Sequence, residues 1–306
     1  MDQLGFTLKK IRQSKKYTQK YVSSGKMSQS TYSKIESSKM TPTIDKFIHI
    51  LERLDVTYSE VILYRNKYSI DEKEKIVHDF SHISTTIDSD KIVELELSCA
   101  QFLKATYDSV VQDIQLVCHS LLFVQSGNYE EARNSAEKVW DRLSKMDSWY
   151  SIELRLINNI LYIFPSETQL SIGEIALKNL YRTSVNFKEH ETLKIAFLLN
   201  MSLLLINQDK HKPALVYAEK ALEESLKINR IDLISMSLER KGIIFVHTEE
   251  IERGLSLINK AIYINEAIGN NRFAEAIKEE VRQKTSVVNL NGLKYLDTLH
   301  LVGLKS

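Results

Sequence analysis

Six polar residues sit where recognition chemistry could use them: Arg155, Asn158, Asn159 and Tyr162 within LRLINNILYIF, then Asn200 and Arg240. Asn200 follows Asn159 by 41 residues, and Arg240 follows Asn200 by 40. A carboxamide both donates and accepts, so asparagines in a row can bond the N–H and C=O groups of an extended peptide. A guanidinium can hold a carboxylate, such as a peptide C-terminus, through two parallel bonds. Asparagine is a poor mid-helix residue, yet these asparagines interrupt apolar stretches, LINNILYIF and FLLNMSLLL. Two readings fit. Either the row faces a short peptide, or each amide is satisfied by its own or a neighbouring helix and Arg155 makes an internal ion pair.

A second set lies near the N-terminus, in the helical segment SQSTYSKIES. With Tyr32 and Ile35 turned inward, Gln29, Ser30, Ser33 and Lys34 point outward, and Ser28 can cap the helix. Glutamine can bond an adenine edge, lysine a guanine edge, and Ser30 or Thr31 a base or a phosphate. Lys26, Lys39 and Lys46 can add phosphate contacts, which position a protein without reading sequence. The charge supports a polyanionic partner. Residues 1–66 hold 12 Lys/Arg against 6 Asp/Glu, whereas 67–306 hold 29 against 34, a contrast hidden in the overall +1. The DNA-facing set expected in this segment is Lys26, Ser28, Gln29, Ser30, Thr31, Ser33, Lys34 and Lys39.

Other constellations carry less. His78 and His82 share a helical face but have no third ligand near them in sequence, and His190-Glu191 lacks the second histidine of a zinc-protease helix. No P-loop, G-x-S-x-G or G-x-G-x-x-G occurs, so a catalytic role, a cofactor and a metal are all unexpected. Trp140, Trp149, Tyr162 and Phe164 at helical spacing read first as core. Cys99 and Cys118 cannot make a disulfide framework. The opening MDQLGFTLKK has no apolar signal core, and the longest apolar run, 195–206, is broken by Asn200 and Ser202. A soluble, cytoplasmic protein is expected.

Helices must position these residues. Glycine and proline number only 9 and 3 in 306, too few for the turns of a sheet protein. Hydrophobic residues at 43% and charged residues at 26% suffice for a packed core. Residues 1–66 resolve into five short helices, with Leu4, Leu8 and Ile11 striping the first and Thr18 and Gly25 bounding the second. Pro42 and Thr43 precede a fourth helix with Ile44, Phe47, Ile48, Leu51 and Leu54 inside, and YSEVILY forms the fifth. Beyond Asp71 a repeat appears: Tyr129, Ala132, Ala136 and Trp140 recur as Leu170, Gly173, Leu177 and Tyr181. They recur again as His211, Ala214, Ala218 and Leu222, then as Ile251, Gly254, Ile258 and Ile262. A period near 40 with small residues at matched positions predicts stacked helical hairpins. Ser166 with Gln169 reads as a capping box. The segment 270–304 reads as a terminal cap, and NLNGLKYLDTL together with the last repeats as a dimer contact. The expectation is an all-α chain: a helix-turn-helix domain at 1–66, a linker at 67–71, and a tetratricopeptide-like repeat domain at 72–306 for peptide binding and dimerisation.

The first 66 residues resemble the XRE-type helix-turn-helix of phage repressors. The resemblance rests on Arg12, Thr18-Gln19, a third helix ending at Glu36, Pro42 and the exit Leu54-Asp55-Val56. It implies that Arg12 and Glu36 form a structural ion pair and that Gln19, at a helix N-terminus, clamps a phosphate. Through LGFTLKKIRQSKK, STYSKIESSKMTPTIDKFIHILERLDVT, LRLINNILYIF and the 41-residue repeat, nearly the whole chain resembles the Rgg/GadR/MutR transcription regulators. That resemblance implies a cytoplasmic homodimer that binds double-stranded DNA and responds to a short signalling peptide, as in quorum sensing. It also implies a ligand groove with Arg and Asn at Arg155, Asn158 and Asn159. The inter-protomer disulfide of some members has no counterpart, because no cysteine lies in 1–98. Three alternatives remain open at this level: a phage-type repressor whose repeats are structural, a protein-interaction scaffold that binds no peptide, and a regulatory inhibitor of another enzyme, which usually lacks such a head.

Overall fold

The computed structural model describes residues 4–66, 71–83, 89–183 and 188–285, and every element in them is helical. Its contacts divide the chain into Met1–Lys75 and Ile76–Ser306.

In the first unit, α1 (Leu4–Ser14), α2 (Gln19–Ser23), α3 (Gln29–Glu36), α4 (Ile44–Leu54) and α5 (Tyr58–Arg65) enclose Leu8, Ile11, Val22, Tyr32, Ile35, Ile50, Leu54 and Val61. Local chemistry sets the boundaries. Thr18 Oγ1 accepts from the Tyr21 amide at 3.1 Å, and Ser28 Oγ from the Thr31 amide at 3.1 Å, each satisfying a donor that a helix start leaves open. Gly25 makes the turn between α2 and α3 at φ 93°, which costs a residue without Cβ little. Thr57 and Glu60 form a reciprocal capping box at α5. Thr43 stands at the N-cap of α4 but makes no side-chain cap bond. The inward stripe of α4 also differs from the expectation. Ile50 and Leu54 are buried with Phe47 and Leu51 against them, whereas Ile44 and Ile48 are 74% and 47% exposed. The apolar residues of this helix cover more than one face, so periodicity alone does not choose which face turns inward.

α6 (Glu72–Ser81) contains the division between the units, which falls beyond the expected linker at 67–71. α7 (Ser89–Ala105) follows. α8 (Ser109–Gln125) then pairs with α9 (Tyr129–Leu143), and α10 (Ser151–Ile160), packed against α8 and α9, leads through a 3-10 turn to α11 (Ser166–Thr183). Pairing continues with α12 (Lys188–Ile206) and α13 (His211–Lys227), then α14 (Ile231–His247) and α15 (Ile251–Ala267); α16 (Asn271–Thr285) ends the described chain. The small residues of the repeat mark where the two helices of a hairpin touch. Ser120 Oγ donates to the Ala132 carbonyl at 2.6 Å, and Ser202 Oγ to the Ala214 carbonyl at 3.0 Å. At the corresponding place in the last hairpin Gly254 faces Gly242, so closely that a Cβ on Gly254 would lie 2.6 Å from the Gly242 carbonyl oxygen. Each contact joins residues twelve apart, which is why the period survives large changes in the other side chains. The α11 start differs from the expected capping box: Gln169 Nε2 reaches back to the carbonyls of Phe164 and Tyr162 at 2.5 and 3.1 Å, closing the 3-10 turn Leu161–Ile163 onto the helix. The segment NLNGLKYLDTL lies outside the described residues.

Candidate nucleic-acid interface and ligand row

On α3, Tyr32 and Ile35 are buried while Gln29, Ser30 and Lys34 are exposed, with Thr31 and Ser33 half-buried. Ser28 Oγ lies 2.9 Å from both Ser30 Oγ and Thr31 Oγ1. The three hydroxyls therefore share the capping of α3. Gln29, Ser33, Lys34 and the exposed Lys26 and Lys39 keep side chains with no bonded partner among the described residues. Lys46 is half-buried on α4.

Behind this surface Arg12 and Glu36 pair, with Nε–Oε1 at 2.6 Å and Nη2–Oε2 at 3.0 Å, while Arg12 Nη1 donates to the Tyr17 carbonyl at 2.7 Å. Burial alone would raise the Glu36 pKa, but hydrogen bonds from Arg12 and Gln19 outweigh it and hold the carboxyl below its ordinary value. The bond to Glu36 in turn raises Arg12. Gln19 Nε2 donates to Glu36 Oε2 at 2.7 Å, so one of its two amide N–H groups joins the ion pair and the other is left for a further acceptor. Sequence reasoning missed Arg53, which lies 3.9 Å over the Tyr21 ring and donates to the Tyr21 carbonyl at 2.9 Å, fastening α2 to α4. No spacing marks such a pair in advance.

In the second unit α10 and α12 bring four of the six row residues together. Asn200 Nδ2 donates to Asn158 Oδ1 at 2.9 Å across the two helices, and Asn159 Nδ2 donates to the Arg155 carbonyl one turn back at 2.9 Å. The local reading of the asparagines is met by these bonds. Each amide has one local bond, yet Asn159 Oδ1 and Asn200 Oδ1 are neither bonded nor sealed from solvent. Tyr162 keeps 45% of its surface open, and desolvation by the surrounding protein pushes its phenol up to about 12. Arg155 makes the internal ion pair: Nη2 and Nε reach Glu189 Oε1 at 2.7 and 3.0 Å, and Nη1 reaches the Ser81 carbonyl at 3.3 Å.

Arg240 departs from the row. Its side chain is buried on α14, with Nη1 3.0 Å from Glu239 Oε1 and 2.8 Å from Glu280 Oε1 on α16. Burial by itself would lower its pKa, but the two carboxylates hold it raised; burial drives Glu239 upward. Matching repeat position put Arg240 in the row, but the guanidinium is enclosed by those two acids, so it is a structural cation rather than a peptide ligand. The acids could not be paired with it from spacing alone, because Glu280 is 40 residues away.

The remaining polar signals are structural. Ser151 Oγ lies 2.8 Å from His190 Nε2, and His190 Nδ1 lies 2.7 Å from Thr183 Oγ1, fixing the start of α12 against α10 and α11. Trp149 donates to the Leu143 carbonyl at 2.9 Å and packs edge-on to Trp140. Burial pushes the Cys99 thiol up to about 12 and raises Cys118, which keeps both unreactive. His78 Nδ1 lies 3.3 Å from Asp79 Oδ1, and among the described residues no group of three or more His, Cys, Asp or Glu could hold a metal. No helix among them is long and apolar enough to cross a membrane.

A small helical bundle with an exposed polar third helix, followed by helical hairpins, is the architecture of a helix-turn-helix regulator with a repeat domain. The family model described as the C-terminal domain of the HTH-type transcriptional regulator Rgg matches residues 101–279, and a helix-turn-helix model matches residues 8–61. The first of these spans more than half the chain, and the protein belongs to the Rgg family of transcriptional regulators. No curated protein sequence matches it. Among solved structures it is similar to a protein of Listeria monocytogenes EGD-e described as a transcriptional regulator, at 22% identity and a TM-score of 0.76, covering 94% of this chain and 99% of that one. It is similar also to Bacillus thuringiensis PlcR, solved with the peptide PapR7 and DNA, at 21% identity and a TM-score of 0.71, covering 90% and 99%. A third is the Streptococcus dysgalactiae SHP pheromone receptor Rgg2, at 15% identity and a TM-score of 0.67, covering 92% and 99%. At these identities the likeness establishes the fold.

Proposed function

We propose that residues 1–66 read double-stranded DNA through α3 and that residues 72–306 dimerise and bind a short signalling peptide along the Asn158–Asn159–Asn200 row. The observation that supports the reading is the pair of open amide carbonyls on Asn159 and Asn200, carried by α10 and α12, which pack together. Amide acceptors on an apolar wall match the N–H groups of an extended backbone. PlcR, solved with a peptide and DNA, and Rgg2, a pheromone receptor, support it by analogy. Gln29 and Lys34 supply base-edge contacts, Ser33 can add one, and Lys26 and Lys39 hold phosphates. A homodimer presents two such helices to half-sites separated by about one or more helical turns, roughly 10–10.5 base pairs each. Peptide acts by its difference in affinity between two arrangements of the dimer, and by nothing else. The protein works in the cytoplasm, where its DNA is.

The test is selection of the full-length protein on randomised duplexes. The reading predicts a two-fold symmetric site whose affinity falls steeply as salt rises, since bound lysines release counterions. Enrichment of no sequence, or binding flat in salt, rejects the DNA-reading assignment.

A further inference from the structure

Every carbonyl at the end of α6 has a partner. The last four carbonyls of a helix have none within it. Here the His78 carbonyl accepts from His82 Nδ1 at 2.8 Å, Asp79 from the His82 amide at 3.1 Å, Phe80 from the Ile83 amide at 3.4 Å and Ser81 from Arg155 Nη1 at 3.3 Å. The Ser81 hydroxyl adds a bond to the Val77 carbonyl at 2.8 Å. On this braced turn stand two exposed histidines, His78 and His82, with ring centroids 4.3 Å from each other. Spacing alone leaves them as a pair without a third ligand; the structure adds where their protons are. A carbonyl only accepts, so His82 Nδ1 carries the hydrogen that reaches the His78 carbonyl. An ionised carboxylate likewise only accepts, and His78 Nδ1 lies 3.3 Å from Asp79 Oδ1, so it too is the N–H. In a neutral imidazole the other nitrogen is then an acceptor. Neither Nε2 has a bonded partner among the described residues.

We propose that the two Nε2 atoms together bind a divalent transition-metal ion, and that the ion holds the C-terminal turn of α6 closed. A ligating histidine gives its other N–H to a carboxylate or a backbone carbonyl, which fixes the tautomer and raises the basicity of the nitrogen left over. His78 does this with Asp79, and His82 with the His78 carbonyl. Histidines four apart on one helical face are the pair that a helix turns toward a single zinc ion. Imidazole nitrogen suits zinc, nickel and copper, whereas magnesium and calcium take oxygen. Two protein ligands leave the other positions to water. The site is therefore open and exchanges its ion, unlike the closed four-ligand sites that hold a fold together. Because the ion spans one turn, that turn cannot open until the ion leaves.

Calorimetry on the full-length protein tests this, with divalent nickel as the probe and magnesium as its oxygen-seeking control. Nickel is expected to bind and magnesium not to, with copper tighter than nickel, as the order of divalent affinities requires. His78→Ala and His82→Ala, at exposed positions, should each weaken nickel binding by about tenfold or more. Asp79→Ala takes away the partner of the His78 N–H and should weaken it by about tenfold. His211 and His247 form another close pair, so His211→Ala serves as the control and should bind nickel as the parent does. Nickel at a hundred times its dissociation constant should slow amide exchange across residues 78–83 by up to about a hundredfold in the parent and leave it unchanged in His82→Ala. Equal binding of nickel and magnesium, or undiminished nickel affinity in either histidine variant or in Asp79→Ala, would overturn the proposal. So would loss of nickel binding in His211→Ala, or exchange at 78–83 that ignores saturating nickel.

Discussion

Replacing Glu36 by Gln removes one charge from the centre of the first unit while keeping its shape. Three donors converge on the Glu36 carboxylate: Arg12 Nε at 2.6 Å, Arg12 Nη2 at 3.0 Å and Gln19 Nε2 at 2.7 Å. A carboxamide offers one oxygen and one NH2 group, so at least one of those donors must face another donor. The Glu36 side chain is 2% exposed and Arg12 12%, so water cannot take the lost place. Breaking a buried pair from one side costs about 3–5 kcal/mol, and the retained oxygen puts Glu36→Gln near the lower end, about 3 kcal/mol. A unit of this size holds roughly 4–10 kcal/mol in all, so the substitution removes a third or more of it. Both tryptophans, Trp140 and Trp149, lie in the second unit, so fluorescence does not follow the first. Amide exchange at α1 and α3 does. The opening free energy there should fall by about 3 kcal/mol with α8 to α15 unchanged, whereas Arg12→Met with Glu36→Leu should stay within about 1 kcal/mol of the parent. A loss below about 1 kcal/mol in Glu36→Gln would refute the buried-pair argument. The pH dependence has a fixed sign. The folded pKa of Glu36 lies below its unfolded value, so its contribution is complete above the ordinary carboxylate range and disappears as pH falls through the lower folded value. Glu36→Gln should lack that slope.

Lys34→Ala combined with Gln29→Ala removes two exposed side chains and should leave the fold intact while abolishing footprints on the selected site. Each base contact is worth about 1–3 kcal/mol, so specific affinity should drop by roughly a hundredfold or more, and an unchanged footprint rejects α3 as the reading helix. Gly254→Ala sets a Cβ 2.6 Å from a backbone oxygen that cannot move cheaply. Overpacking of about 1–3 kcal/mol should exceed the ~1 kcal/mol that alanine brings to a helix, lowering the urea midpoint of the second unit; a raised midpoint contradicts the close crossing. Asn200→Ala loses both the bridge to Asn158 and an open acceptor, and should weaken peptide binding in calorimetry by about tenfold, the worth of a hydrogen bond left unmade. Equal affinity would show that Asn200 only ties α12 to α10.

The repeat was legible because close helix crossings demand small residues at fixed intervals, and Ala132, Ala214 and Gly254 fall where the hairpins touch. The caps at Thr18 and Ser28 were legible for a similarly local reason, whereas Thr43 stands at its helix start without a cap bond and the Thr57–Glu60 capping box was not read in advance. Which apolar face of α4 turns inward was not, since Ile44, Phe47, Ile48 and Leu51 wrap the helix and only tertiary packing chooses among them. In the candidate row, Arg155 and the asparagines lie on α10 and α12 at the repeat spacing, but matching offsets do not reveal what stands opposite. Glu189, Ser81, Glu239 and Glu280 decide how Arg155 and Arg240 are used, and each reaches its arginine only through the fold.

The measurement closest to the centre of this account is mass spectrometry of whatever small molecules leave the protein on acid treatment after isolation from its native host, followed by calorimetry of the recovered species. The account predicts a short peptide with a free carboxylate that binds the parent protein and binds Asn159→Ala and Asn200→Ala more weakly. Recovery of no peptide, or of one that binds all three proteins alike, would contradict it.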